Sequence, residues 1–205
     1  MHRFRLVLLL ILPLFTLLAT ACDRTPQLRP LPANAVILAF GDSLTHGNGA
    51  PDGQAYPDVL AGLLGRTVIN AGVPGEISAE GRQRLPQLLE LHRPDLVILC
   101  HGGNDFLRRL DRAETAANLT AMIEQIRAAG ADVVLVGVPE FGFVLKPPPF
   151  YGEIAARFGL PFEAKIVSEL LGDRDFKSDT IHPNAAGYHR MAEALHRLIK
   201  AANGL

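Results

Sequence analysis

The stretch VILAFGDSLTHG, residues 36–47, decides the fold, because it joins a short apolar run to a polar turn. Residues 36–40 are apolar without interruption, as in a strand that is buried on both faces of a parallel sheet. Three similar runs follow, TVIN at 67–70, LVILC at 96–100 and DVVLVGV at 132–138. The sequence therefore predicts a sheet of buried parallel strands.

Amphipathic stretches separate these runs. Residues 54–65, 78–92 and 113–129 carry apolar side chains at three- and four-residue spacing, which predicts crossover helices. A last amphipathic helix follows Asn184, a residue favoured as a helix N-cap. The alternation predicts an α/β protein, a three-layer α/β/α sandwich around a mostly parallel central sheet. Its ligand site is expected beyond the carboxyl ends of the strands.

The segment 139–161 breaks this alternation with a PPP run at 147–149 and a group of aromatic residues. Such a segment is typical of a loop or short-helix excursion that borders the site. Two interpretations of the aromatic group stay open, ordinary core or an acyl-binding wall. Its members are Phe141, Phe143, Phe150, Tyr151 and Phe158.

The N-terminus has the pattern of a secretory signal peptide over residues 1–21. Arg3 and Arg5 precede an almost wholly apolar run at 6–18, and small residues follow it. A permanent membrane anchor is the competing interpretation. The run is shorter than the roughly 20 residues that a spanning helix needs, and Pro13 interrupts it, so we expect cleavage.

Cys22 follows LATA and resembles the lipidated cysteine of bacterial lipoproteins, although Ala19 stands where Leu is preferred. An ordinary signal peptide with an incidental cysteine is the alternative. Lipidation would tether the chain to a membrane, and Asp23 resembles the residue that retains such lipoproteins at the inner membrane of Gram-negative cells. The Pro-rich composition of 22–35 predicts a tether before a domain at 36–205.

Length and charge narrow the class of protein further. A chain of 205 residues suits one domain with one core. Removal of residues 1–21 changes the formal net charge from −1 to −3, and no long basic patch remains for nucleic acid. Cys100, the other cysteine, ends an apolar run and is expected to be a small core residue rather than half of a structural disulfide.

Polar sequences follow three of the predicted strands: GDSLTHG at 41–47, NAGVPGE at 70–76 and HGGND at 101–105. The carboxyl ends of parallel strands are neighbours, so these turns should meet. A fourth polar cluster, SDTIHPN at 178–184, stands just before the last helix and can return to the same edge. One rim of the sheet is then expected to hold Ser, Gly, Asn, Asp and His.

These residue types suit acyl transfer. A serine hydroxyl is a weak nucleophile until an imidazole removes its proton, and Ser43 with His182 fits that pair. A carboxylate that fixes the tautomer of the imidazole completes such a site, and Asp179 lies three residues before His182. We therefore predict Ser43, His182 and Asp179 as the catalytic residues.

The tetrahedral intermediate of acyl transfer carries negative charge, so donors must already point at it. The candidates are the backbone N–H groups of Ser43 and Gly75 and the side-chain amide of Asn104, with Gly72 as an alternative to Gly75. The Gly-rich turns might instead bind phosphate, but neither GxGxxG nor GxxxxGK[ST] occurs at a strand end.

These blocks, in this order, resemble the SGNH or GDSL hydrolases. GDSL with the following Thr-His-Gly is similar to the family's first block, NAGVPGE to the second, GGND to the third and DTIHPN to the last. The resemblance implies a flavodoxin-like fold and an ester- or thioester-cleaving hydrolase without a metal or organic cofactor. It also implies the roles given above for Ser43, Gly75, Asn104, Asp179 and His182.

Within the family, the chain is most similar to the periplasmic acyl thioesterase, lysophospholipase and arylesterase branch. It departs from that branch at Glu76 and Ile77, where Asp and Thr are usual, and in the segment 139–161. Substrate preference is therefore open. An esterase of O-acetyl groups on carbohydrate or peptidoglycan is an alternative, and a lipid-tethered binding module without turnover is another, which the intact set of five groups argues against.

Several other polar residues have ordinary interpretations. Asp42 and Asp105 follow glycines at strand ends and are predicted to be loop-stabilising acceptors. Four histidines show no paired spacing such as HExxH, so solvated or packing roles are expected for His46, His92, His101 and His189.

Overall fold

The computed structural model describes residues 26–140, 142, 144–202 and 204–205, and its centre is a five-stranded parallel sheet. The strand order is β2-β1-β3-β4-β5, which is the order of flavodoxin-like doubly wound sheets. The predicted fold class is therefore confirmed. The strands are β1 Val36–Gly41, β2 Thr67–Gly72, β3 Leu96–Cys100, β4 Asp132–Val136 and β5 Phe162–Glu163.

Helices cover both faces of the sheet. The chain runs from β1 to β2 in one direction and then crosses back to β3, and right-handed crossovers place the two connections on opposite faces. One layer is built around the packing of α2 on α8, the other around α3 on α5. The helices are α1 Ser43–His46, α2 Tyr56–Leu64, α3 Ser78–His92, α4 Gly103–Leu107, α5 Arg112–Ala128, α6 Phe150–Phe158, α7 Ile166–Gly172 and α8 Ala185–Ala201.

The apolar runs of the sequence form the centre of the core. Every residue of β3 is buried, and so are all residues of β1 and β4 except the first of each. The edge strand β2 has only half-buried and exposed positions instead. The central strands can therefore hold the turns that follow them at fixed positions.

Helix ends agree with the predictions to within two residues at most. The helix expected at 54–65 begins at Tyr56, with Pro57 in its first turn, where proline is tolerated. The helix expected at 113–129 begins one residue earlier, because the side chain of Asp111 accepts from the amide of Ala113 and caps the end. Asn184 caps α8 as predicted, and its Oδ1 accepts from the Gly187 amide at 3.0 Å.

The segment 139–161 contains helix α6, and its aromatic residues that the structure describes pack as core. Tyr151 is fully buried, and its hydroxyl donates to the carbonyl of His101 at 2.7 Å. Phe150 stacks on Tyr151 with ring centroids 4.7 Å apart. Phe158 is half-buried beside two arginines. The core interpretation is therefore favoured for these three; Phe141 and Phe143 lie outside the described residues.

Packing against the domain starts before the predicted first residue, Val36. Leu28 and Leu31 are buried, and the Leu28 amide donates to the carbonyl of Ala202 at 2.8 Å. Arg29 pairs with Asp132, the first residue of β4, at 3.1 Å. The Pro-rich stretch has no periodicity that would have indicated this contact. The predicted signal peptide and Cys22 lie outside the described residues.

Two further observations concern membranes and thiols. Within the part of the chain that the structure describes, no helix is both long and apolar enough to span a bilayer. Cys100 is a free, fully buried thiol at the end of β3. Burial raises the pKa of this thiol well above the usual value, so the thiol stays neutral. Cys100 thus packs as a small apolar residue, as predicted.

Candidate active site

Ser43 is the first residue of α1, directly after the central strand β1. The turn is held by Asp42, whose side chain is buried and accepts from the amide of Leu44 at 3.0 Å. Burial raises the pKa of Asp42, opposed by His101, the Leu44 amide and His182. Asp42 is thus a loop-stabilising acceptor, as predicted, and it fixes the direction in which Ser43 leaves the strand.

His182 meets Ser43 across 139 positions of sequence. Its Nε2 lies 3.0 Å from Ser43 Oγ, within hydrogen-bond distance. The loop that carries His182 is fixed just before α8, where Pro183 pairs with Lys177 in an antiparallel bridge. The loop is therefore tied down on both sides of the imidazole.

Asp179 holds the other side of the imidazole. Its Oδ2 lies 2.8 Å from His182 Nδ1, and its Oδ1 accepts from the amides of Ile181 at 2.7 Å and His182 at 2.8 Å. Partial burial would raise the pKa of Asp179, but these hydrogen bonds outweigh it and hold the pKa below its ordinary value. An ionised carboxylate favours a proton on Nδ1, which leaves Nε2 as an acceptor towards Ser43.

Asn104 lies beside Ser43, since both line one small cavity. Its Nδ2 donates to the carbonyl of Glu76 at 3.0 Å and makes a longer contact of 3.4 Å with Asp42 Oδ2. The shorter bond fixes the amide. The longer one is weak enough for a substrate oxygen to replace it.

Gly75, rather than Gly72, has the free donor. The Gly72 amide donates to the side chain of Asn70 at 3.0 Å. Among the residues that the structure describes, none accepts from the Gly75 amide. Gly75 has φ +80°, a conformation that favours glycine, and its carbonyl accepts from Arg108 at 2.8 Å. The turn is thus anchored through its carbonyl while its N–H remains available.

Two surfaces of opposite character adjoin Ser43 and His182. The small cavity that contains Ser43 and Asn104 has an apolar wall, formed by Leu107, Val138, Pro139, Leu171 and Ile181. A second, polar cleft is lined by His182 and Asp179 together with His46, Asn48, Asp52 and Asn70. A bound molecule can therefore place an apolar part in the cavity that Ser43 lines and a polar part in the cleft that His182 lines.

Another, mainly apolar cavity lies elsewhere; it is larger than the small cavity beside Ser43 and smaller than the polar cleft. It has a volume of about 480 Å³ and is lined mainly by residues of 145–149 and 162–169. Neither Ser43 nor His182 belongs to its lining. Ser168 belongs to its lining, but the Ser168 hydroxyl has no hydrogen-bond partner among the described residues, so this cavity offers no nucleophile that is paired with a base.

Three residues behind the site were missed as site residues by the sequence reasoning. The sequence indicates Glu76 only as a departure from a family pattern, and His101 only as a solvated or packing histidine. In the structure the two side chains lie 3.1 Å apart and are buried, with Arg84 on the opposite side of Glu76. No spacing in the sequence links these three positions, since they belong to a turn, a helix and a strand end.

Asp105 also acts as predicted. Its carboxylate accepts from the amide of Ser78 at 2.8 Å and from the Ser78 hydroxyl at 2.5 Å. Thr115 Oγ1 approaches the same carboxylate at 3.3 Å. Asp105 thus joins the turn after β3 to the start of α3 and to α5.

Comparisons with known proteins identify similar sequences. The model of the GDSL-like lipase/acylhydrolase family matches residues 39–190. Esterase TesA of Pseudomonas aeruginosa PAO1 is 32% identical over 197 residues, which cover 90% of this chain and 97% of the relative. Thioesterase 1/protease 1/lysophospholipase L1 of Escherichia coli K12 is 30% identical over 156 residues, 72% of this chain and 75% of the relative.

A solved structure agrees with the sequence comparison. The crystal structure of TesA superposes with a TM-score of 0.71 at 30% identity. The superposition covers 82% of this chain and 99% of the other. The two proteins therefore share the fold.

Proposed function

Because this chain belongs to the GDSL-like lipase/acylhydrolase family and is a hydrolase of carboxylic esters or thioesters, we propose that it works through an acyl intermediate on Ser43. The observation that carries the proposal is the 3.0 Å contact between Ser43 Oγ and His182 Nε2. The 2.8 Å contact between His182 Nδ1 and Asp179 supports it, because it holds the imidazole in the tautomer that can accept a proton.

In acylation, Ser43 Oγ attacks the substrate carbonyl carbon while His182 Nε2 accepts the hydroxyl proton. His182 is then an imidazolium, which the Asp179 carboxylate stabilises. The same Nε2 proton goes to the leaving alkoxide or thiolate as the bond to the acyl carbon breaks. In deacylation, a water molecule attacks the acyl carbon while His182 Nε2 accepts its proton. His182 then gives that proton to Ser43 Oγ as the bond between Oγ and the acyl carbon breaks, which releases the carboxylic acid and restores the serine.

The negative charge that forms on the carbonyl oxygen needs donors on the side away from His182. The proposed donors are the amides of Ser43 and Gly75 and the Nδ2 of Asn104. The unused N–H of Gly75 and the long 3.4 Å contact of Asn104 Nδ2 are consistent with this role. One such donor contributes roughly 3 to 4 kcal/mol of barrier lowering in comparable enzymes.

The two surfaces beside Ser43 indicate how substrate lies. His182 protonates the leaving group, so the leaving group belongs on the side of His182, where the cleft is polar. The acyl group then lies along the apolar wall that includes Leu107, Val138 and Leu171. This favours substrates with an acyl chain of several carbons on a polar alcohol or thiol over O-acetyl groups, which would leave the wall unused.

A series of p-nitrophenyl esters from acetyl to dodecanoyl tests the substrate class. We expect kcat/KM to rise from acetyl to chains of several carbons, because each buried methylene adds roughly 0.8 kcal/mol. An acetyl-only profile would support the O-acetyl alternative instead. Hydrolysis that persists in Ser43→Ala would contradict the acyl-Ser43 mechanism for either class.

Leu107 offers a test of the apolar wall without disturbing the core, because 45% of its surface is exposed. Leu107→Glu should raise KM for an octanoyl ester about tenfold and leave acetyl hydrolysis nearly unchanged. Leu110→Glu is the matched control, since Leu110 is 39% exposed and does not line the cavity. Equal effects of the two substitutions would contradict the assignment of the wall.

The proposal for location rests on sequence alone. The chain is exported through its signal peptide and tethered to a membrane by lipidated Cys22, with Asp23 favouring the inner membrane. Labelled palmitate should enter the protein in cells, and Cys22→Ser should abolish the labelling and release the protein from membranes. Full labelling of Cys22→Ser would contradict the tether.

A further inference from the structure

A charged network lies buried directly behind the proposed oxyanion donors. It consists of Glu76, Arg84 and His101, whose side chains are 4%, 25% and 0% exposed. Removing charges from water is costly unless each is paired and hydrogen-bonded. A network at this depth therefore needs its hydrogen bonds in place. Such a network holds the backbone segments that carry its side chains at fixed positions.

The bonds of the network are complete. Arg84 donates from Nε to Glu76 Oε1 at 2.6 Å and from its terminal nitrogen to Oε2 at 2.7 Å, a bidentate pair. His101 Nδ1 accepts from the Gly102 amide at 3.0 Å, so Nε2 carries the proton and donates to Glu76 Oε2 at 3.1 Å. Burial would raise the pKa of Glu76, but the bonds from Arg84 and His101 outweigh it and lower the pKa.

Each member is attached to a proposed oxyanion donor or to the strand end before one. Glu76 directly follows Gly75, and its carbonyl accepts from Asn104 Nδ2 at 3.0 Å. His101 stands three residues before Asn104 in the next turn. Arg84 also donates to the carbonyl of Ala71, at the end of β2, at 3.1 Å. The network thus cross-links the turn of Gly75 to the turn of Asn104.

The surroundings of the network fit it closely. The Arg84 guanidinium lies 4.4 Å from the ring centroid of Phe40, and Phe40 lies 5.9 Å from the ring of His101. Gly81 of α3 leaves the space that the pair needs, because a Cβ there would stand 2.4 Å from His101 Nε2 and 3.2 Å from Glu76 Oε2. Phe40 belongs to β1, the strand that precedes Ser43.

We propose that Glu76 and His101 are positioning residues that set the spacing between the Gly75 amide and the Asn104 amide. The inference rests on the proposed acyl-Ser43 function. Neither side chain lines the cavity or the cleft beside Ser43, so both act through the donors rather than on substrate. Donor spacing matters most in the transition state, when the oxyanion is fully formed.

His101→Leu tests the inference, because it removes the Nε2 proton and keeps an apolar side chain in the space. We expect kcat for p-nitrophenyl octanoate to fall roughly 10- to 100-fold with little change in KM. His101→Gln, which can donate at a similar reach, should recover most of this loss. Glu76→Gln, which leaves a donor facing a donor, should give the same kcat-selective loss, and serves if His101→Leu does not fold.

Two ligands distinguish positioning from a general loosening of the fold. Octaneboronic acid forms a tetrahedral adduct with the serine and samples the donors, whereas octanoate binds without forming one. In His101→Leu the affinity for the boronic acid should fall by the same factor as kcat, and the affinity for octanoate should not change. Equal losses for both ligands, or a wild-type kcat in His101→Leu and Glu76→Gln, would overturn the inference.

Two controls keep the outcomes separate. Ile199→Val truncates the core on α8 and should lower the melting temperature without changing kcat, which shows that lost stability alone does not give the effect. If Ser43→Ala kept the turnover of the wild-type protein, the proposed function itself would be refuted. Turnover that depends on Ser43 but not on His101 or Glu76 would refute only the positioning role.

Discussion

The molecule contains two histidine–carboxylate pairs at the same rim of the sheet, and they differ in what the second nitrogen meets. His182 bonds to Asp179 through Nδ1 at 2.8 Å and turns Nε2 to Ser43. His101 bonds to Glu76 through Nε2 at 3.1 Å and uses Nδ1 to accept from its neighbour's amide. In the first pair one nitrogen is left for chemistry, whereas in the second both are occupied.

The two pairs also differ in how much of the carboxylate side chain is exposed to solvent. Asp179 has 53% of its side chain exposed, so its ion pair can form and change during a reaction at little cost. Glu76 has 4% of its side chain exposed, and its guanidinium partner neutralises it. We therefore propose that the same two residue types serve as a proton acceptor with its orienting carboxylate at the surface, and as a fixed support in the interior.

The largest expected effect distinguishes the two histidines. His182→Gln removes the proposed base and should lower kcat by roughly 10³- to 10⁶-fold, while His101→Gln should keep kcat within about tenfold of wild type. Steady-state hydrolysis of p-nitrophenyl octanoate measures both. A similar loss in the two variants would remove the functional difference between the pairs.

The next effect distinguishes the two carboxylates. Asp179→Asn should lower kcat by roughly 10²- to 10⁴-fold, because an amide no longer fixes the tautomer of His182, with little change in stability. Glu76→Gln should lower kcat less, and also lower the free energy of unfolding by about 1 to 3 kcal/mol, since it leaves buried donors poorly paired. Urea denaturation together with kcat measures the contrast. A larger stability loss in Asp179→Asn than in Glu76→Gln would contradict it.

The pH dependence of stability gives a smaller effect with a definite sign. The folded pKa of Glu76 is lowered, so its contribution is fully present above its unfolded pKa, near 4.3, and is lost as the pH falls through the folded pKa. Over that range the unfolded chain binds more protons, and stability rises with pH. The slope of unfolding free energy between about pH 5 and pH 3 should be shallower in Glu76→Gln than in wild type. An unchanged slope would show that Glu76 is not the group responsible.

The smallest effect concerns the space around the buried pair. Alanine is favoured over glycine in a helix by up to about 1 kcal/mol, yet Gly81→Ala should destabilise the protein because its Cβ would meet His101 Nε2. In a His101→Ala background the same change should become neutral or stabilising. Thermal denaturation of the four proteins measures the reversal. Stabilisation by Gly81→Ala in the wild-type background would mean that the pair does not need this space.

The two pairs also differ in how far the sequence predicts them, and the pair at the surface is the predictable one. The apolar runs fix the strands, and parallel strands bring their carboxyl ends together, so Ser43, Asn104 and the turn of Gly75 are predictable from local pattern. Asp179 and His182 are three residues apart, which places a carboxylate next to an imidazole within one turn. These features depend on short-range spacing and on a general rule of sheet topology.

No such short-range pattern in the sequence predicts the buried pair of Glu76 and His101, or its partner Arg84. Glu76, Arg84 and His101 come from three separate elements, and their contact depends on how α3 packs against the sheet. Element β5 was also missed, because two residues, Phe162–Glu163, are too few to show a period. The packing of Leu28 beside the end of α8 is likewise a tertiary contact within a Pro-rich stretch.

The most direct test of the central claim is a covalent label on the nucleophile. Wild-type protein treated with an alkyl phosphonate ester of p-nitrophenol should gain one adduct, and peptide mapping by mass spectrometry should place it on Ser43. Ser43→Ala should gain none, and His182→Gln should react far more slowly. An adduct on another residue, or labelling that persists in Ser43→Ala, would contradict the account.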